Sequence, residues 1–163
     1  MGNELDLSLI MRPAIQEYFY FKWILTKRLE KYGDLKESLH IPISSVLKQS
    51  TLNMTVVDLV AHGLQPLVAN LQKLPSSEIS LNYPFNMIRN MGVEDILRLY
   101  HKIITDCEII LGSLQLSSID SSLTGKDPDE IADLLGKVIG HLIHHTGQAI
   151  SYHTHICDIL SKS

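Results

Sequence analysis

The sequence predicts an all-α fold, namely a four-helix bundle with longer connections between its helices. Three observations lead to this prediction. Apolar residues recur at helical spacing in four long segments, residues that cap or break helices stand at several segment ends, and the stretches between them are polar and irregular. With 163 residues, of which 45% are hydrophobic, the chain can enclose one core, so we expect a single domain over residues 1–163.

Helix one is predicted over residues 7–32. Its apolar residues are dense, Pro13 suits a first helical turn, and Gly33 is a typical stop. Five of the ten aromatic residues lie within residues 18–23. Their distribution around the helix predicts packing in the core on more than one side.

Helix two is predicted to follow an irregular connection over residues 36–54, which leaves room for a short helical turn. The helix starts at the T-V-V-D segment of residues 55–58, which has the form of a capping box. It is expected to run to residue 74, before a proline. Pro66 cannot donate a hydrogen bond to the carbonyl of His62, which predicts a kink at that histidine.

Helices three and four complete the predicted bundle. A loop over residues 75–90 leads into helix three, residues 92–114, where Cys107 falls in the apolar stripe as a small core residue. After another connection, the D-P-D-E segment of residues 127–130 is a strong helix start. Helix four is expected to extend from there to residue 160.

Composition narrows the classes of function. A net charge of −4 and scattered basic residues argue against nucleic acid as a partner. The apolar amino end is interrupted by Glu4, Asp6 and Arg12, which argues against a signal peptide or membrane span and favours a cytoplasmic location. Cys107 and Cys157 lie fifty positions apart without a C-x-x-C pair, so neither a disulfide framework nor a cysteine zinc knuckle is expected.

Two histidines in helix four form the most informative motif. His141 and His145 are four residues apart, so both imidazoles lie on one helix face and can reach one metal ion. With about 100° per residue, they belong to a polar stripe on an otherwise apolar helix, which consists of His141, His145, Gln148, Tyr152 and His155. His144 lies at the margin of this stripe, whereas His153 and Cys157 point elsewhere.

Known metal motifs with carboxylate groups do not fit these histidines. The zincin pattern H-E-x-x-H requires a glutamate where this chain has Leu142, and the inverted pattern requires an acid where it has His144. A di-iron bundle needs several glutamates and two Glu-x-x-His segments, and only residues 37–40 have that form. A third ligand for the pair is therefore sought among the histidines.

His62 is the preferred third ligand, because it is a polar residue on an apolar helix face and at the predicted kink. The weaker candidates, each expected at the surface or at an edge, are His40, His101 and His153.

These residues resemble the DinB-like family of four-helix metalloproteins, which includes thiol-dependent S-transferases of the YfiT type. The resemblance covers residues 7–160 and rests on the T-V-V-D-L-V-A-H segment ending at His62, the H-L-I-H-H-T-G-Q segment of residues 141–148, and the order of the helices. It implies metal ligation by three residues, His62, His141 and His145. The family's arginine after the last histidine is Thr146 here.

Three neutral imidazoles suit Zn²⁺ first and Ni²⁺ next. The resemblance implies a site that activates a low-molecular-weight thiol for transfer, with a small molecule as substrate. Two alternatives stay open: a hydrolase acting through metal-bound hydroxide, and a non-catalytic metal-binding protein of the stress response. Gln148, Tyr152 and His144 are expected to contact the ligating histidines or the substrate. A homodimer formed through helix faces is also expected, because helix one is apolar around its circumference.

Overall fold

The structure is a computed structural model that describes residues 6–33, 37–48, 51, 53–74, 80–113 and 128–163. Within these ranges all regular structure is helical and there is no strand, so the all-α prediction is confirmed. None of the described helices combines the length and the apolar character that crossing a membrane requires. Two 3-10 segments, Leu7–Met11 and Phe85–Asn90, accompany the α-helices, which are α1 (Arg12–Tyr32), α2 (Glu37–His40), α3 (Ile43–Val46), α4 (Val56–Leu71), α5 (Val93–Ser113) and α6 (Pro128–Leu160).

Predicted helix one consists of a 3-10 segment followed directly by α1. The Asp6 side chain caps the start of the 3-10 segment by accepting a hydrogen bond from the Ser8 backbone N–H at 2.9 Å. Pro13 is the second residue of α1, where its missing N–H does not interrupt the helix. At the other end, Gly33 has a φ of 74° and its N–H donates to the Leu29 carbonyl. Glycine adopts this left-handed conformation without steric cost, which explains where the helix ends.

The aromatic cluster of α1 departs from the prediction. Tyr18 and Phe21 are buried, but Phe19, Tyr20 and Trp23 are 55%, 50% and 54% exposed. The expected core packing is therefore wrong for three of the five aromatics. The reason is geometric, because one face of α1 lies on the core and the opposite face is left uncovered by the residues that the structure describes. The homodimer expected from this helix stays a prediction.

The start of α4 follows the predicted capping box. Thr55 Oγ1 accepts a hydrogen bond from the Asp58 N–H at 3.1 Å, and Asp58 Oδ2 accepts one from the Thr55 N–H at 3.0 Å. The helix continues through Pro66 and ends at Leu71, earlier than predicted, because the next residues form turns. The kink predicted at the histidine stays a prediction.

The other predicted elements agree closely with the structure. Helix α5 covers nearly the predicted range, and α6 extends over 33 residues to Leu160 as expected. The connection predicted over residues 36–54 contains the short helices α2 and α3, and the end of the loop predicted over residues 75–90 is the second 3-10 segment. Asp127, the predicted cap of helix four, lies outside the described residues.

The long helix α6 lies at the centre of the packing, where α4 and α1 both contact it. Two side-chain bonds join α1 to α6: Arg28 donates to Thr154 at 3.2 Å, and the Tyr32 hydroxyl donates to the Asp158 carboxylate. Helix α5 packs against α1 and α4. Cys107 is fully buried in α5, as predicted for a small core residue. The contact between α4 and α6 is the one that positions the histidines.

Candidate metal centre

Three histidines from two helices converge at the contact between α4 and α6. His62 comes from α4, and His141 and His145 come from successive turns of α6. One ring nitrogen of each lies within 4.8 Å of the others, and the ring centroids are 4.4 to 5.1 Å apart. His62 is exposed while the other two are half-buried, so the cluster opens to solvent on the α4 side. Such a group could hold a metal ion.

Gly63 allows the two helices to come this close. A Cβ atom at this position would lie 3.1 Å from Leu142 Cδ1, 3.3 Å from Leu142 Cα and 3.3 Å from His145 Cβ. Two of these atoms belong to the backbone or to the base of a side chain, so they can yield only if α6 itself moves. The missing side chain next to His62 thus sets the distance between that histidine and the pair on α6.

A hydrogen bond to Gln148 orients His145. Its Nδ1 lies 2.8 Å from Gln148 Oε1. An amide oxygen only accepts hydrogen bonds, so Nδ1 carries the proton and Nε2 keeps its lone pair. Partners of this kind fix the tautomer and the ring orientation of metal-binding histidines. Gln148 therefore contacts a candidate ligand, as expected from the sequence.

His141 forms a hydrogen bond with His145 through the ring nitrogen that faces the cluster. Its Nε2 lies 3.0 Å from His145 Nε2, and since the latter accepts, His141 Nε2–H is the donor. Two nitrogens bound tetrahedrally to one zinc ion are about 3.3 Å apart, so these two nitrogens are close to the separation that a shared ion requires. The Nδ1 atom of His141 is buried without a hydrogen-bond partner among the described residues. A cation shared by the two nitrogens would therefore replace the hydrogen bond between His141 and His145.

The electrostatic environment favours the neutral, ligating form of the pair. Desolvation by burial lowers the pKa of His141, and the neighbouring His62 and His144 lower it further. Burial also lowers the pKa of His145, with the other histidines adding to the effect, while the hydrogen bond to Gln148 acts in the opposite direction. Both imidazoles are therefore neutral at pH 7, which is the form that binds a metal.

The other residues of the predicted stripe differ in their surroundings. His144 is exposed, and its ring centroid lies 5.1 Å from that of His145 in an edge contact. Tyr152 is half-buried and packs against the apolar core. Among the described residues, no hydrogen bond or ring contact joins Tyr152 to the three histidines. His155 is exposed, and its Nδ1–H donates to the Ser151 carbonyl at 2.8 Å.

The weaker ligand candidates lie away from the cluster. His101 is exposed beside the Tyr18 ring, and His40 is half-buried with its Nε2–H donating to the Met91 carbonyl at 2.7 Å. His153 is only 4% exposed, so the expected surface or edge position is wrong for it. The reason is that α2, within the predicted connection, covers this side of α6, where Ser38 Oγ lies 2.9 Å from His153 Nε2.

Thr146 occupies a packing position rather than a place in the site. Its side chain is fully buried, and Oγ1 shares a hydrogen bond of 2.9 Å with the Tyr100 hydroxyl of α5. Burial raises the pKa of Tyr100, so this phenol stays neutral. A long cation in place of Thr146 would have to be buried in the core.

A pocket of about 550 Å³ lies beside His62. Apolar walls are formed by Met54 and Phe85, and its polar lining includes Asn53, Asp58, His62, Gln65, Asn86 and Arg89. Sequence reasoning missed Arg89, which stands in a segment read as a loop. One residue in the sequence pointed to a cation here. Asp58 lies one helical turn before His62, and its carboxylate attracts a positively charged side chain such as Arg89. A further cavity of about 630 Å³ is lined by His40 and Arg89 and touches none of the three histidines.

No protein-family model, no curated protein and no solved structure matches this chain. The resemblance to the DinB-like family therefore stays a prediction that rests on the two histidine segments and the helix order.

Proposed function

We propose that this chain is a DinB-like four-helix metalloprotein whose three histidines hold a divalent ion and which activates a small thiol for transfer to an electrophile. The observation that supports it is the convergence of His62 with His141 and His145 across the contact between α4 and α6. The pair alone follows from helical spacing, but the third imidazole comes from a residue about eighty positions away. Three imidazoles from two helices around one point form a donor set that can hold a metal ion.

Zinc is the proposed ion, with nickel second. The group contains three imidazoles and no carboxylate, a donor set that suits these ions better than magnesium, calcium or manganese. A site with three protein ligands leaves a position for another molecule. When bound, the ion would lower the pKa of a coordinated thiol so that the thiolate forms near neutral pH.

The residues of the chain would supply orientation and access. Gln148 holds the His145 ring in the tautomer whose Nε2 is free to ligate. Gly63 keeps α4 close enough to α6 for His62 to face the pair. The exposed side of His62 opens into the pocket of about 550 Å³, a volume in the range that binds small organic molecules.

One contact favours thiol activation over hydrolysis. A hydrolase needs a group that accepts and passes on a proton near the ion. Asp58 is the carboxylate among the described residues that line the pocket, but Oδ2 accepts from the Thr55 N–H and Oδ1 accepts from Arg89. A carboxylate committed to a helix cap and an ion pair is poorly placed to act as a base. A thiol bound to the ion would lose its proton to solvent near neutral pH, so thiol activation does not depend on such a group.

Metal content measured on purified protein tests the proposed site. We expect about one zinc per chain in the parent, and loss of zinc in the His62→Ala and His145→Ala variants. His155→Ala is the matched control, because His155 is an exposed histidine of the same helix that lies outside the cluster. Zinc retained in both test variants would refute the site.

The reaction is tested separately with cobalt-substituted protein. Adding a small thiol should produce a thiolate-to-metal charge-transfer band, and the protein should conjugate that thiol to a haloarene. A band without turnover would favour the non-catalytic alternative. Ester hydrolysis without a band would favour the hydrolase.

A further inference from the structure

We propose that the pocket beside His62 binds a carboxylate-bearing small molecule and that Arg89 holds the carboxylate. This inference rests on the proposed thiol-activating function and deepens it by naming the class of substrate. The ion pair between Arg89 and Asp58 lies at the wall of this pocket and is not part of the metal cluster.

One edge of the Arg89 guanidinium group faces Asp58. Its Nε lies 3.4 Å from Asp58 Oδ1, and Asp58 is itself fixed by the capping box with Thr55. The four N–H donors on the terminal nitrogens make no hydrogen bond with any residue that the structure describes. These nitrogens form the fork that binds a carboxylate through two parallel hydrogen bonds. The side chain is 77% exposed, so a ligand can reach it.

The arginine lies within reach of the histidine cluster. Asp58 and His62 are four residues apart in α4, which places them on one face and about 6 Å apart along the helix axis. Arg89 contacts the first residue of this pair, and the metal cluster includes the second. A small molecule can therefore contact Arg89 at one end and the histidine cluster at the other.

The charges in the pocket favour an anionic ligand. Three neutral imidazoles would leave the two positive charges of a divalent ion uncompensated. The Asp58–Arg89 pair sums to zero and does not offset them. A molecule that carries both a thiolate and a carboxylate would balance this charge, whereas a thiol without a carboxylate would balance only half of it after losing its proton.

The rest of the lining suits the body of such a molecule. Met54 and Phe85 are half-buried and present apolar surface, whereas the amides of Asn53 and Asn86 are exposed at the rim. Most of the lining is polar, so the apolar surface of Met54 and Phe85 suits only a short hydrocarbon segment. The pocket thus offers a place for a short carbon chain between the two charged ends.

The test compares two thiols on cobalt-substituted protein, with the charge-transfer band as the measure of binding. We expect 3-mercaptopropionate to bind about tenfold more tightly than 2-mercaptoethanol, as for a charge-assisted bidentate pair. In Arg89→Gln this preference should disappear, and Arg89→Lys should keep part of it. A preference that came from chelation of the metal by the carboxylate itself would persist in Arg89→Gln. The part of the preference that this variant loses is therefore the part due to Arg89.

Arg98→Gln is the matched control. Arg98 is 74% exposed and pairs with Asp95 at 3.2 Å, much like Arg89 with Asp58, but it does not line the pocket beside His62. It should keep the full preference. Circular dichroism of each variant checks that the helices are intact.

The outcomes separate this inference from the proposed function. Equal affinity for both thiols in the parent, or an unchanged preference in Arg89→Gln, would overturn the role of Arg89 while leaving thiol activation in place. Absence of the band with either thiol would refute thiol activation. In that case propionate tests the carboxylate site alone. A shift of the cobalt visible bands on adding propionate, absent in Arg89→Gln, would support the site, and the lack of any shift in the parent would overturn it. Failure to bind cobalt would refute both.

Discussion

Replacing Gly63 with alanine should separate the two helices that carry the histidines. The added Cβ would lie 3.1 to 3.3 Å from atoms of Leu142 and His145, and contacts this tight require the neighbours to yield by a few tenths of an ångström. Because Leu142 is fully buried and two of the contacts involve Leu142 Cα and His145 Cβ, the strain falls on α6 as a whole. Ligand distances in metal sites tolerate only about 0.2 Å.

Two opposing terms set the expected stability of this variant. Alanine in a helix interior is favoured over glycine by about 1 kcal/mol. Overpacking a filled interface costs about 1–3 kcal/mol. The net result should be a loss of roughly 0–2 kcal/mol in the unfolding free energy of the metal-free protein. Zinc affinity should fall about tenfold or more, as for other changes that misplace a ligand.

Gly140→Ala is the matched control for this experiment. The position is next to His141 in α6, but a Cβ there meets no atom within 4 Å. This variant should gain about 1 kcal/mol and keep its zinc affinity. Urea unfolding of the metal-free proteins and competition titrations with a zinc chelator measure the two quantities. If Gly63→Ala behaved like Gly140→Ala in both, the role assigned to the close approach would be wrong.

Three further predictions concern groups around the site. Thr146→Val should lower the unfolding free energy by about 1–3 kcal/mol, because it leaves the buried Tyr100 hydroxyl without a partner. Thr146→Ser keeps a hydroxyl and should lose less. Equal losses of the two variants in urea unfolding would contradict this. Burial lowers the pKa of His153 from 6.5 to about 4, so the folded state binds fewer protons than the unfolded state between these pH values. The stabilisation is fully present above pH 6.5 and should be lost as the pH falls toward 4, by about 3 kcal/mol in total. In metal-free His153→Gln, unfolding curves should show a smaller loss over this range, and an unchanged loss would refute the assignment. Zinc should move the proton of His141 from Nε2 to Nδ1 while His145 keeps its Nδ1 proton, which ¹⁵N NMR of the imidazoles detects; an unchanged His141 tautomer would show that Nε2 is not the ligating atom.

The fold class and most helix boundaries could be predicted because they depend on local interactions. The capping box of Thr55 and Asp58 involves residues three apart, and the stop at Gly33 depends on one backbone conformation. The common face of His141 and His145 follows from helical spacing alone. Interactions of this range are the same in any helix that contains those residues, so the order of residues is enough to predict them.

Helix periodicity could not determine which faces are covered. Phe19, Tyr20 and Trp23 are as apolar as their buried neighbours, yet they are exposed because no described element packs on that side of α1. His153 faces away from the polar stripe and is nevertheless buried, because α2 folds back over it. Apolar character predicts a preference for burial, and the neighbouring elements decide whether burial occurs.

The candidate site likewise has one part that helical spacing predicts and another that depends on how the helices pack. Spacing within one helix determined the pair of histidines on α6, and composition limited the donors to imidazoles. The sequence pattern and the family resemblance predicted His62 as the third ligand, but only the tertiary structure placed it against that pair, through the absence of a side chain at Gly63. The tertiary structure also brought Arg89 to the wall of the pocket beside His62. The physical reason is that helical geometry sets distances between residues a turn apart, whereas distances between helices depend on how their side chains pack.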